Sequence, residues 1–327
     1  MENLSSATRK RNTVTEKEIL NLFKKARVEV KKVKNGKESA DFSGFGFDEQ
    51  TINALNDLPD EVQLSLLYFR KEALLYEKIS PLILKTQFYG VVEVCHSLVS
   101  KKNCLESFRN IFGKKKKKNA TEIDRTLDLL HKEGRIKLFC LPKKPNSWYL
   151  VFVSDYKKII EKVKEKVVKE QAAKVLERKK RKTVERMHVV DGVLFERFKK
   201  KMSHWKSLRI REKKLLSVLS TKEWKCQEED LIELVRSGLL LAENDKVYWL
   251  TVPNAGTFYT FAEEGDKQII KILSRTNFGE MREEELFVKA ANYNLPLGTR
   301  FHVDHLLGLQ KIKRVNTNNG FLVKLSE

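Results

Sequence analysis

The sequence lacks long apolar runs, and that shortage argues at once against a membrane-spanning helix. No stretch approaches the roughly 18 residues needed to cross a bilayer. The longest candidates, around Trp148–Val153 and Leu239–Ala242, have the length of single strands. Met1–Lys10 has no apolar core of the kind a secretory signal carries. Cysteine is sparse too. Cys95, Cys104, Cys140 and Cys226 are scattered without a Cys-x-x-Cys pair, so the common metal and redox spacings are absent. They read as reduced thiols of an intracellular protein that serve in packing. Acidic residues are outnumbered: 44 Asp and Glu face 65 Lys and Arg, a formal net charge of +21. An excess of that size favours polyanionic partners and says nothing about fold. Hydrophobic residues still make up 41% of the 327, so cores for two or three ordinary domains are available.

Residues 1–57 read as a disordered basic tail. Charged and small polar residues dominate, Ile19, Leu20, Leu22 and Phe23 support at most one short helix, and Gly44 and Gly46 break any pattern. From Leu58 the composition changes. Val62, Leu64, Leu66, Leu67 and Phe69 open a helical apolar run. Ser80-Pro81 reads as the N-cap and first residue of a second helix holding Leu82, Ile83, Phe88 and Val91. A third helix has Asn119 as its cap, Glu122 three residues on, an apolar face of Ile123, Leu127 and Leu130, and Gly134 as its stop. Two strands follow, Arg135–Leu141 and Trp148–Val153. Three helices and then a hairpin is the winged-helix order.

The helix-to-hairpin ending occurs three times. Leu129–Ile136 leads into the first hairpin. Leu234–Leu240 leads into a second through residues 243–246, and Leu306–Ile312 into a third through residues 316–319. The fold expected is therefore α+β, mainly α, with three tandem winged-helix domains behind the tail. The domains would span residues 58–156, with an insertion at about 94–118, then 189–262 and 263–327. Residues 157–188 form a basic linker helix between the first two. Its stretch 157–182 holds 12 Lys or Arg against four Glu and keeps a rough apolar stripe of Ile159, Val163, Val167 and Val175.

Basic clusters are the constellation that carries chemistry. Phosphate contacts give affinity without sequence information. The candidates for DNA binding are Lys114, Lys115 and Lys116, then Arg125, Lys132 and Arg135 on the first unit's third helix and corner, and Lys143 and Lys144 on its wing. Arg178, Lys179, Lys180, Arg181 and Lys182 close the linker helix. Lys289, Arg300, Lys311, Lys313 and Arg314 belong to the third unit. The second unit differs: its third helix begins Glu228-Glu229-Asp230, which steadies a helix N-terminus but repels phosphate. That unit reads as a protein-contacting or spacing module. No Asn, Gln and Arg set looks arranged for base edges, so weakly selective duplex binding is expected. His302-x-x-His305 puts two imidazoles on one helical face, but further ligands are not evident, and packing or solvated histidines are the better reading.

Three segments resemble the serine/threonine-protein kinase 19 family, winged-helix repair factors for which the kinase name is a misnomer. They are Ser80–Tyr89, Tyr248–Phe258 with its Trp-Leu-x-Val-Pro-x-Ala-Gly stretch, and Phe301–Gly308. The likeness runs from about Leu58 to the C-terminus. Two features depart from it: the insertion at about 94–118, and the length and charge of the linker helix. The resemblance implies three winged helices, double-stranded DNA binding without kinase activity and without a cofactor, and nuclear residence. It also implies a role in transcription-coupled nucleotide excision repair, as an adaptor linking stalled RNA polymerase II repair complexes to the general transcription factor H helicase. Self-association into a homodimer is a further expectation. The alternative is a winged-helix interaction scaffold in transcription that does not touch DNA, its basic runs serving as import signals. Kinase chemistry fails a direct test. Asp41-Phe42-Ser43-Gly44-Phe45-Gly46 mimics fragments of kinase motifs, but no His-Arg-Asp and no Val-Ala-Ile-Lys occurs.

Overall fold

The computed structural model describes residues 80–90, 120–141, 144–181, 192–244, 246–318 and 320–326, and helical positions 62, 65, 66, 69, 70 and 73. For residues 141, 144–146 and 174–181 only the backbone is described. The tail, the insertion and the Asn119 cap lie outside the described residues.

The protein is α+β and mainly helical, with small antiparallel sheets. A two-residue strand, β1 (Ile83–Leu84), is followed by helical residues 85–90, then α1 (Ala120–Lys132), β2 (Ile136–Leu141) and β3 (Lys144–Phe152). Next come α2 (Val153–Arg181), α3 (Gly192–Met202), β4 (Arg209–Arg211), α4 (Glu212–Leu219), α5 (Glu228–Arg236), β5 (Leu240–Asn244) and β6 (Val247–Leu250). Last are α6 (Ala255–Ser274), β7 (Glu280–Arg282), α7 (Glu283–Ala290), α8 (Gly298–Gly308), β8 (Ile312–Thr317) and β9 (Gly320–Leu325). Three sheets of three strands result, ordered β1-β3-β2, β4-β6-β5 and β7-β9-β8. In each, a short strand and the hairpin's first strand flank the hairpin's second strand.

The three hairpins are entered by one and the same corner. After α1, Glu133 N–H donates to the Leu129 carbonyl (2.9 Å), Gly134 N–H to His131 (3.1 Å), Arg135 N–H to Leu130 (3.0 Å), and Val153 N–H closes the sheet on Arg135 (3.0 Å). After α5 the equivalent donors are Ser237, Gly238, Leu239 and Thr251, at 2.9, 3.0, 3.0 and 3.1 Å. After α8 they are Leu309, Gln310, Lys311 and Ser326, at 2.9, 3.0, 3.0 and 2.9 Å. This pattern is a Schellman turn, which needs a left-handed residue at its apex. Gly134 (φ 74°), Gly238 (φ 75°) and Gln310 (φ 58°) supply it.

The sequence reading of Ser80–Leu84 is corrected. Ile83 and Leu84 are not helical; they pair with Leu150 and Tyr149 of β3. The Ser80 hydroxyl caps no helix and donates to the Pro253 carbonyl at 3.0 Å. The Ser-Pro signal is local, whereas a free edge of β3 offers two apolar residues both backbone bonds and complete burial.

The described residues divide into two compact units. One takes them from Met1–Glu72, Gln87–Lys117 and Phe261–Glu327, the other from Ala73–Thr86 and Lys118–Thr260. The first holds the β7-β9-β8 sheet, packed with Ile269, Ile272 and Leu273 of α6, Leu286 of α7, and Val303 and Leu306 of α8. The second holds the other two sheets. There α2 runs 29 residues and packs on α3 through a square of charges. Lys164 meets Glu196 at 2.6 Å and Glu161 at 3.2 Å, while Lys199 meets Glu161 at 2.5 Å and Glu196 at 2.8 Å. Hydrogen bonds from Lys164 and Lys199 pull the Glu196 carboxyl down to about 2.

Candidate nucleic-acid interface

The cations singled out in the sequence divide into an exposed set and a committed set. On α1, the apolar face of Ile123, Leu127 and Leu130 is buried, which turns Arg125 and Lys132 to the surface. They share it with Glu122 and Asp128, so this helix carries mixed charge rather than a cationic stripe. Arg135 lies at the corner, 2.9 Å from Glu133. Lys289 on α7 and Lys311 and Lys313 at the third hairpin are exposed. Lys114, Lys115, Lys116, Lys143 and Lys182 lie outside the described residues. Lys144, Arg178, Lys179, Lys180 and Arg181 are placed by backbone alone, the first opening β3 and the others ending α2.

Arg300 and Arg314 are corrected: both point into the fold. Glu283, nearly buried at the start of α7, accepts from Arg300 Nη1 at 3.2 Å and from Arg314 Nη2 at 2.5 Å. Arg300 Nε also donates to Asp304 at 3.2 Å, and the Arg314 guanidinium lies 5.3 Å over the Phe321 ring. Burial holds the Asp304 carboxyl above its ordinary range, against the pull of Arg300 and Arg314. Two guanidiniums whose counter-charges lie inside the fold have little left for phosphate. A cation's type in the sequence does not reveal a partner 17 or 31 positions away.

The two histidines of α8 are also internally engaged. His302 Nδ1 and His305 Nδ1 bond the two oxygens of Asp266 on α6, at 2.9 and 2.8 Å. Burial opposes ionisation of Asp266, but these two bonds hold its carboxyl below the ordinary value.

One buried cation carries no signal in the sequence. Lys137 sits in β2, a strand buried on both faces, and is only 1% exposed. Its ammonium donates to the Met202 carbonyl at 2.5 Å and the Trp205 carbonyl at 2.6 Å, where α3 ends. Phe139 and Tyr156 lie under it, with ring centroids at 5.9 and 5.7 Å. Burial lowers its pKa to about 8. A helix C-terminus carries partial negative charge on unsatisfied carbonyls, and a cation placed against them offsets it. Lys137 does this from beneath, across 65 residues of chain. The same structure exposes a second group of cations that the sequence reading passed over, Lys200, Lys201, Lys206, Arg211, Lys213 and Lys214.

These features define a class: an α+β protein with a three-times-repeated helix–corner–hairpin, cations on its surface, and no metal-binding group of three or more His, Cys, Asp or Glu among the described residues. A family model described as "Inactive serine-threonine protein kinase 19" matches residues 114–325, and the chain belongs to that family. Proteins named Winged helix repair factor 1 are similar to it. The one from Dictyostelium discoideum is 27% identical over 214 residues, 62% of this chain and 54% of that protein. The Xenopus laevis protein is 34% identical over 98 residues (30% of this chain, 38% of that protein), and the human protein 28% over 101 (31% and 40%). The matched part thus spans about half, or less, of each of these relatives' length.

Proposed function

We propose that this chain is a non-catalytic, nuclear, double-stranded DNA-binding adaptor built from three winged-helix units. It acts in transcription-coupled nucleotide excision repair and links stalled RNA polymerase II repair complexes to the general transcription factor H helicase. The observation that carries the reading is the repeat. In the second and third copies a helix, an edge strand, two helices and a hairpin follow in the same order; the described residues of the first give the edge strand, helical residues 85–90, α1 and the hairpin, and the same four backbone bonds form all three corners. That is the order of a winged helix, whose third helix and wing are the parts that meet duplex DNA. Surface cations on α1, α7 and the third hairpin supply phosphate contacts. The names of the relatives support the repair assignment, and the family resemblance supports the polymerase and helicase partners.

Titration of a random-sequence duplex from about 50 to 200 mM salt tests the DNA reading. Each phosphate neutralised contributes about −0.9 to the slope of log affinity against log salt. A steep fall is expected; a flat response, or no binding at low salt, rejects it. The scaffold alternative draws on α5. Gln227 N–H donates to Asp230 at 2.9 Å in a capping arrangement, which leaves Glu228 and Glu229 exposed beside Ile232, itself 49% exposed. Such a face repels phosphate and suits a protein, so the second unit's α5 is assigned to protein contact.

A further inference from the structure

We propose that the second unit nevertheless carries a phosphate-binding surface of its own, on the side formed by the end of α3, the loop after it and α4. There Lys201 at the end of α3, Lys206 in the loop, and Lys213 and Lys214 on α4 take the sugar–phosphate backbone of duplex DNA. The inference rests on the DNA-binding reading and adds a surface to it.

Residues 199–214 hold eight Lys or Arg against a single carboxylate, Glu212. Two of the eight are engaged elsewhere. Lys199 belongs to the charge square with Glu161 and Glu196, and Arg209 lies 2.7 Å from Glu243. The remaining six are exposed, and none of them forms an ion pair with a carboxylate among the described residues. Four lie on pieces of chain that the fold sets side by side. The Lys214 ammonium lies 5.1 Å from the Trp205 ring centroid, so α4 reaches the loop after α3. Trp205 N–H returns to the Met202 carbonyl at 3.2 Å, which draws the loop back against the end of α3. Lys201 adjoins Met202, Lys206 adjoins Trp205, and Lys213 adjoins Lys214.

Lys137 completes the surface from the inside. By occupying the Met202 and Trp205 carbonyls it removes partial negative charge that would otherwise oppose an anion there. The chemistry of the patch selects the partner. No large apolar side chain of residues 199–214 is exposed among the described residues. A protein interface needs an exposed apolar or aromatic centre, whereas Trp205 is half-buried with the Lys214 ammonium over its ring, and insertion at a lipid surface needs an apolar face. Ammonium groups on flexible stems match a regular line of phosphates.

The test uses the full chain with Lys201→Gln, Lys206→Gln, Lys213→Gln and Lys214→Gln, titrated with a random-sequence duplex over salt, and with polyglutamate as a second anion. The slope should become shallower by up to about 3.6, from four contacts at about 0.9 each. Arginine at the same four positions should keep the wild-type slope. A steep wild-type slope retained in the Gln variant overturns this surface and leaves DNA binding to the other cations. Absence of salt-dependent binding in the wild type overturns both readings. Loss of polyglutamate binding with duplex binding intact assigns the patch to an acidic protein and also overturns it. Circular dichroism checks folding. Should the fourfold variant unfold, the pair Lys206→Gln and Lys213→Gln is read on the same scale, with a change of up to about 1.8.

Discussion

Helices α1, α5 and α8 end in the same corner, yet they are covered to very different extents. On α1 the buried residues are Ile123, Leu127 and Leu130, and on α5 they are Asp230, Leu231 and Leu234, a single stripe in each case. On α8 they are Thr299, Phe301, His302, Val303, Asp304, Leu306 and Leu307, which wrap the whole helix. Gly90 presses on it so closely that an added Cβ would come 2.5 Å from the Asp304 carbonyl. The corner therefore specifies the hairpin and leaves the use of the preceding helix open. A helix covered on all sides cannot lie in a groove, so of the third copy's candidate cations Lys289 on α7 and Lys311 and Lys313 of the hairpin are the ones left to offer DNA, beside the exposed Lys267, Lys271, Arg275 and Arg282.

The covered helix should be the fragile one. Glu283→Ala leaves Arg300 and Arg314 buried without their shared carboxylate and should cost about 3–5 kcal/mol in urea unfolding. A loss under 1 kcal/mol would mean that both guanidiniums escape to solvent, and would return them to the DNA-binding set. Next comes Gly265→Ala. An added Cβ would sit 2.1 Å from His302 Nε2, and His302 is held in place by Asp266, so about 3 kcal/mol of overpacking is expected. In the same helix, nothing lies within 4 Å of the Cβ that Gly256→Ala would add. That change should be neutral or stabilise by up to about 1 kcal/mol, the ordinary helix propensity difference.

In the compact unit that holds the first two sheets the sensitive cation is Lys137 of β2, and its effect depends on pH. Its folded pKa of about 8 lies below the ordinary 10.5, so folding releases a proton at intermediate pH. Below pH 8 the folded state bears the full cost of a buried ammonium. As pH rises from 8 to 10.5 that cost disappears and this group's contribution to stability increases, by at most about 3 kcal/mol. Lys137→Met should remove that part of the rise in stability across this window. An identical pH profile in the variant would show that the amine is not buried in solution.

What the sequence made legible follows from the range of each signal. The corners are legible because they are local: an apolar helical segment, a short break with glycine at the apex in the first two copies, then a strand. The edge strand β1 was not, because two residues have no periodicity and Ser80-Pro81 imitates a helix start. Lys137 sits beside Ile136 and Leu138 like any outward-facing strand residue, and only the covering of the second face of β2 reveals it as buried. Arg300 and Arg314 look like surface cations in the sequence because Glu283 is remote from both. The basic run at 199–214 does not stand out in the sequence because a helix end, a loop and a strand divide it into short pieces, and only the fold sets Lys214 against Trp205.

The smallest expected effect probes the corner itself. Two copies place glycine at the left-handed apex, and the third places Gln310 there with φ 58°. A side chain in that conformation costs roughly 1–2 kcal/mol, while glycine gives back about 0.5–1 kcal/mol through the greater freedom of the unfolded chain. Gln310→Gly should therefore stabilise the third copy by about 0.5–1 kcal/mol. Gly134→Ala and Gly238→Ala should each destabilise, by about 1 kcal/mol for the first. The second should lose more, because its new Cβ would meet Pro253 Cα at 3.2 Å, whereas the nearest atom to that of Gly134→Ala is 3.9 Å away. If Gln310→Gly is neutral or destabilising, the Gln310 side chain makes a compensating contact, and the three corners are alike in backbone only.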